Sequence, residues 1–264
     1  MKQNVFKKTI KYLGVILLAI GTLLTASGCS IRPIRWSSQS VELDQEDKFK
    51  ADNLKRLIVN TAGADVSIIL TNEREVKFHY YGNARVTSAH ENFKPYIDID
   101  ESSSSLTLSE KIGDRLNGIS YSGNIKLDIY LSEDYAENLK LNTASGSVDI
   151  QDYKGNCDIN TASGDIDADN CDGDFLINTV SGYISYSKDS KFTSNLNFNS
   201  VSGDINVSIA KDSEFGLKSK TVSGKIKCDF PVTLEGRGVE GTVGSGKNHI
   251  SANTVSGNIT IKSN

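Results

Sequence analysis

Residues 159–168, INTASGDIDA, are one of six near-copies in this chain. LNTASGSVDI (141–150) comes before them, and INTVSGYISY (177–186), FNSVSGDINV (198–207), SKTVSGKIKC (219–228) and ANTVSGNITI (252–261) come after. A catalytic residue is needed once, so ten residues repeated six times specify architecture before chemistry.

With the Ser of each Ser-Gly as origin, the copies align at Ser145, Ser163, Ser181, Ser202, Ser223 and Ser256, with spacings of 18, 18, 21, 21 and 33 residues. Six positions upstream stand Leu139, Cys157, Phe175, Leu196, Leu217 and Ile250, and three downstream stand Val148, Ile166, Ile184, Ile205, Ile226 and Ile259. The positions four upstream and five downstream are apolar too, with Ser219 the one polar exception, while Asp149, Asp167, Ser185, Asn206, Lys227 and Thr260 alternate with them. That is the period-2 pattern of strands with one buried face. The Gly after each Ser (146, 164, 182, 203, 224 and 257) is expected at a corner with positive φ, where a Cβ would clash.

A hairpin and a coil both satisfy this pattern, but only a coil stacks each position on its own counterpart. The columns exist: Asn recurs at 142, 160, 178, 199 and 253, and Thr or Ser at 143, 161, 179, 200, 221 and 254. Stacked Asn and Thr are expected to hydrogen-bond to like neighbours. The predicted fold is therefore all-β, a parallel β-solenoid (β-helix or β-roll) of short strands with turns of 18–21 residues. RLIVNTAGADVSIIL (56–70) is a degenerate copy: with Thr61 on the repeat's Thr, Leu57, Val59, Val66 and Ile68 fall on its apolar positions. EVKFHYYG (75–82), YIDID (96–100), SLTLSE (105–110) and NIKLDIYL (124–131) read as further strands. The 33-residue gap reads as one irregular, Gly-rich turn near the end of the coil.

The N-terminus is of another kind. Lys2, Lys7, Lys8 and Lys11 precede the apolar run YLGVILLAIGTLL (12–24), and ASGC ends at Cys29. This is a secretory signal that resembles a bacterial lipobox, which implies diacylation of Cys29, including palmitate, and cleavage before it. The expected domains are a signal peptide at 1–28, a membrane-proximal tether at 29–50 that enters a first strand near VEL (41–43), and a solenoid at 51–264. The solenoid divides into irregular turns at 51–138 and regular repeats at 139–264. The expected location is the extracytoplasmic face of the cell membrane, through the lipid anchor. Removing 1–28 lowers Lys+Arg from 29 to 25 against 33 Asp+Glu, so the formal charge moves from −4 to −8. An acidic surface argues against nucleic acid as a partner.

The T-[AV]-S-G-x-I repeat, with LIVNTAGADVSI, IYLSEDYAENLKLNTASG and HISANTVSGNITI, resembles a bacterial β-strand-repeat family described as candidate adhesins of unassigned function. The resemblance covers about residues 50–264. It implies parallel β-helices or β-rolls on secreted or membrane-anchored proteins, some tied to envelope-stress responses, and carries no catalytic motif.

The residues themselves assemble no catalytic set, no metal site and no cofactor site, and single out no binding residue. Asp165, Asp167, Asp169, Asp172 and Asp174 are rich in oxygen, but in EF-hand register Asn170 stands where Gly is needed and Leu176 where Glu is needed. They read as solvated turn residues, with calcium left open. His79, His90 and His249 share no ligand spacing. GTVGSGKNH (241–249) lacks the Ser or Thr after Lys of a phosphate loop, and no Ser lies in a G-x-S-x-G elbow. Cys157, Cys171 and Cys228 are an odd number without C-x-x-C spacing, and read as small buried hydrophobes with any disulfide left open. Tyr121, Tyr153 and Tyr183 are the aromatics expected outside the core that could stack on a sugar. The expected function is a non-enzymatic scaffold binding an unidentified envelope or extracellular protein or glycan. A contact-mediated regulator of envelope stress and a polysaccharide-active β-helix enzyme are the alternatives.

Overall fold

The computed structural model describes residues 37–88, 94–112, 120–235 and 238–264. Among them are strands only, in two sheets, and no helix is long and apolar enough to cross a membrane. In spatial order, one sheet runs β1 (Ser37–Lys50), β4 (Glu75–Ser88), β7 (Ser120–Ser132), β3 (Asp65–Thr71), β9 (Val148–Gln151), β11 (Ile166–Asp169), β13 (Ile184–Lys188), β15 (Ile205–Ile209), β21 (Ile259–Ser263), β17 (Ile226–Cys228). The other runs β18 (Thr233–Glu235), β19 (Gly238–Val243), β16 (Phe215–Thr221), β20 (Asn248–Thr254), β14 (Leu196–Ser200), β12 (Phe175–Thr179), β10 (Cys157–Thr161), β8 (Asn138–Thr143), β2 (Arg56–Thr61), β6 (Ser105–Lys111), β5 (Tyr96–Glu101).

Each coil contributes one strand to each sheet, and successive coils pair in parallel with like on like. Cys157 lies beside Leu139 and Phe175, and Ile166 beside Val148 and Ile184. The degenerate copy is in the predicted register, with Leu57 on Leu139, Thr61 on Thr143 and Val66 on Val148. Alternate side chains turn inward to a continuous core between the sheets. One coil cannot bury its apolar face alone, so neighbours stabilise one another. Ser219, the polar exception, is buried and donates its hydroxyl to the Ala252 carbonyl at 3.1 Å.

Four expectations need correction. The repeats do not stack in sequence order: β20/β21 lies between β14/β15 and β16/β17. The 33-residue gap is no single turn. The chain passes outward after β17, adds β18 and β19 as an antiparallel ribbon on β16, and returns to insert its last coil. The same happens at the other end, where β2/β3 lies inside β6/β7. Thirdly, the strand expected near VEL takes in most of the tether. Residues 37–50 form β1, antiparallel to β4, because its apolar residues Val41, Leu43 and Phe49 pack on the core.

The fourth concerns the Gly column. None of the six repeat glycines has positive φ. Gly is required there by close approach, since a Cβ on Gly182 would stand 1.9 Å from the Gly164 carbonyl oxygen. Left-handed backbone sits at the opposite corner, on Asp152 and Asn170 with φ of 56° and 52°.

Candidate functional site

Two columns of polar side chains run along the coil stack. The first is the repeat Asn. Asn142 donates its Nδ2–H to Asn60 Oδ1 at 2.9 Å, Asn160 to Asn142 at 3.2 Å, Asn178 to Asn160 at 3.0 Å, Asn199 to Asn178 at 3.1 Å and Asn253 to Asn199 at 3.3 Å. All the amides point the same way, an arrangement in which each bond polarises the next. The Thr column behaves otherwise than expected. Thr143, Thr161 and Thr179 accept the backbone N–H of Gly146, Gly164 and Gly182 at 3.0, 2.9 and 2.8 Å. They fasten the corner of their own coil and do not bond to one another.

The second column lies at the start of the same strands. Asn156 donates to Asn138 Oδ1 at 3.5 Å, the Asp174 amide to Asn156 Oδ1 at 3.0 Å, and the Asn195 amide to Asp174 Oδ1 at 2.8 Å. Along this second column a groove of about 660 Å³ crosses five coils, from Arg56 and Ile58 past Lys140, Asp158 and Leu176 to Asn197. Lys140 Nζ pairs with Asp158 Oδ2 at 2.6 Å, and Leu176 is exposed. Groups of this kind offer hydrogen bonds and one apolar contact to an extended ligand, repeated at the ~4.8 Å coil spacing.

The Asp165–Asp174 carboxylates are not gathered into one place. Asp165 accepts the Tyr183 amide at 2.8 Å, Asp169 accepts the Ser187 hydroxyl, and Asp174 is in the column above. Asp172 pairs at 2.8 Å with Lys188, whose side chain is 6% exposed and also donates to the Asn170 carbonyl.

The displaced pKa values lie in the core. Burial pushes the thiols of Cys157, Cys171 and Cys228 up, Cys171 to about 12, so they are poor nucleophiles. Burial likewise raises the hydroxyls of Tyr135, Tyr153 and Tyr186. Tyr153 was expected outside the core, but it is fully buried and donates to the Glu137 carbonyl at 2.7 Å, which removes it as a sugar platform. Tyr183 is exposed, with its hydroxyl on Asn206. His249 is on the surface, its backbone amide donating to Asn195 Oδ1. Cys29, His90 and the side chain of Tyr121 lie outside the described residues.

One group was not visible in the sequence. Asp44, Glu46 and His79 bring one ligand atom each within 4.8 Å of the others. His79 is 33 or more residues from the two acids along the chain, and only the pairing of β1 with β4, with Glu46 opposite His79, joins them. A sequence signal would have required reading residues 37–50 as a strand.

The family model described as Toastrack DUF4097 matches residues 94–262. Among solved structures, a candidate cell adhesion protein from Clostridium sporogenes is similar at 16% identity and a TM-score of 0.49, covering 85% of this chain and 100% of that one. A candidate adhesin from Bacteroides fragilis is similar at 13% identity and 0.34, covering 84% and 97%. A candidate lipid binding protein from Parabacteroides distasonis is similar at 13% and 0.28, covering 84% and 95%. No curated protein matches the chain.

Proposed function

Because this chain belongs to the Toastrack DUF4097 family, we propose that it is a non-enzymatic scaffold whose groove binds an extended, hydroxyl-rich envelope or extracellular polymer. The observation that carries this reading is the groove beside the Asn138, Asn156, Asp174 and Asn195 column, with Lys140, Asp158, Leu176 and Asn197 facing it. Its floor changes from coil to coil while this polar row at its edge recurs at each step, so a polymer laid along the stack meets a hydrogen-bonding group at every coil. The neighbours' names, adhesin and binding protein, agree with a binding role without specifying it. The chain is proposed to reach the extracytoplasmic face through the signal at 1–28 and a diacylated Cys29, with a short tether leading to β1.

Two experiments test the two halves. The full chain in detergent is titrated with purified envelope polysaccharide, beside Leu176→Asp and Asn197→Asp variants. Both are expected to bind at least about ten-fold more weakly, from the loss of ~1.4 kcal/mol or more of contact. Binding equal to the parent would move the site elsewhere, and absence of binding would remove the polymer as ligand. For the anchor, Cys29→Ser is expected to abolish palmitate incorporation and release the protein from membranes. Retention of both signals in that variant would eliminate the lipoprotein reading.

A further inference from the structure

The outward face of β1 and β4 carries a mixed nitrogen and oxygen ligand set unconnected with the groove. Glu46 and His79 are direct cross-strand partners, and Asp44, two residues along β1, points to the same face. His79 Nε2 is 2.9 Å from Asp44 Oδ1, and its Nδ1 is 3.6 Å from Glu46 Oε1. The imidazole lies against the Tyr81 ring, with centroids 4.3 Å apart. Tyr81 in turn donates its hydroxyl to Asp128 Oδ2 at 3.0 Å. The ring is therefore held from one side, yet its side chain keeps 25% exposure, enough for an ion to reach it.

From this geometry we propose that Asp44, Glu46 and His79 form a binding site for a borderline transition-metal dication of the Zn²⁺ class. Two ligands each ~2.1 Å from Zn²⁺ stand at most ~4.2 Å apart, so a set already within 4.8 Å closes on an ion by side-chain rotation alone. An imidazole nitrogen with two carboxylates suits Zn²⁺ and its neighbours, whereas Ca²⁺ and Mg²⁺ take oxygen ligands. The charge also fits. Asp44, Glu46 and Asp128, which lies opposite His79 on β7, outnumber two lysines beside them on that face, Lys126 opposite Tyr81 and Lys77, whose Nζ holds the other Glu46 oxygen, Oε2, at 3.3 Å. Three protein ligands leave the fourth position to water.

The test is calorimetric titration of the untagged full chain in detergent with Zn²⁺, with Ca²⁺ as the competing ion. One Zn²⁺ per chain is expected, undisturbed by Ca²⁺, and weakened at least about ten-fold in His79→Ala, His79→Gln, Glu46→Gln and Asp44→Asn. The chain has three histidines, so imidazole NMR resonances assign the nitrogen ligand: those of His79 shift on adding Zn²⁺ and those of His249 do not. Absence of saturable Zn²⁺ binding below about 1 mM would overturn the site. Parent-like binding in the His79 and Glu46 variants, with unchanged circular dichroism, would overturn it equally.

Discussion

Gly182→Ala tests the reason for the repeat's most regular residue. The new Cβ would stand 1.9 Å from the Gly164 oxygen and 2.7 Å from its carbon. A relaxed carbon–oxygen contact is ~3.3 Å, so the two coils must part by more than ~1 Å there. That is over a fifth of the ~4.8 Å spacing between them. Two backbone bonds join these coils at the same corner: Ser181 N–H to the Ala162 carbonyl at 3.0 Å, and Ile166 N–H to the Tyr183 carbonyl at 2.8 Å. Opened by that amount they pass or approach the ~3.5 Å limit of a hydrogen bond. Counting ~1–3 kcal/mol for each of the two bonds broken, the expected loss is ~2–6 kcal/mol. Gly224→Ala meets the Gly257 oxygen at 1.8 Å, yet β17 is the outermost strand of its sheet and can tilt away. It should cost at least ~1 kcal/mol less than the central substitution. Urea denaturation followed by circular dichroism reads both, and hydrogen exchange across 162–184 locates the damage. Gly182→Asn separates the two explanations, because Asn tolerates left-handed backbone but still carries a Cβ. A parent-like Gly182→Asn, or a Gly182→Ala within ~1 kcal/mol of the parent, would refute the close-approach argument.

Asn178→Asp removes the donor to Asn160 Oδ1 and sets two acceptors face to face; a loss of ~1–3 kcal/mol is expected in urea midpoints. Asp172→Ala leaves the buried Lys188 ammonium without its carboxylate, while Lys188→Met leaves only a half-exposed Asp172. Thermal denaturation should therefore show the first to be the more damaging, by ~1 kcal/mol or more after allowance for Asp172's exposure. Hydrogen bonds from Ser245 and Lys191 hold the exposed Glu214 carboxyl down from 4.5 to about 2. A depressed carboxyl stabilises the folded state above its unfolded value and ceases to as pH falls through the folded one. The hydrogen-exchange protection factor of the Ser245 amide should fall between pH 4.5 and about 2 in the parent. In Glu214→Gln the protection factor, the rate of a free amide at the same pH divided by the observed rate, should be low and insensitive to pH over that window; parent-like protection there would count against the bond.

Much of the frame could be read from residues alone. Period-2 alternation fixes which side chains face inward, and an 18-residue coil places Asn160 on Asn142; the shared motif gives Leu57 and Leu139 the same position in their coils, although their adjacency is not set by chain order. The groove was less legible, because its floor is outward side chains whose types vary: Lys140, Asp158, Leu176 and Asn197 look in sequence like ordinary surface positions. The Asp44, Glu46 and His79 group could not be read at all, since no local pattern links β1 with β4.

The chain's own order determined the coil, its inside and outside, and its like-on-like register, all consequences of short-range alternation and repeat length. Which coil neighbours which was decided only by the tertiary structure, because coils with the same apolar columns and backbone ladder are nearly interchangeable. Sequence order would place Lys220 between Asn199 and Asn253; the fold instead sets Asn253 on Asn199 and leaves Lys220 at the outer side of Asn253. At the other end Asn60 likewise sits inside Ser109. Both exchanges keep the six amides contiguous, and a hydrogen-bonded row of amides is worth most when nothing interrupts it.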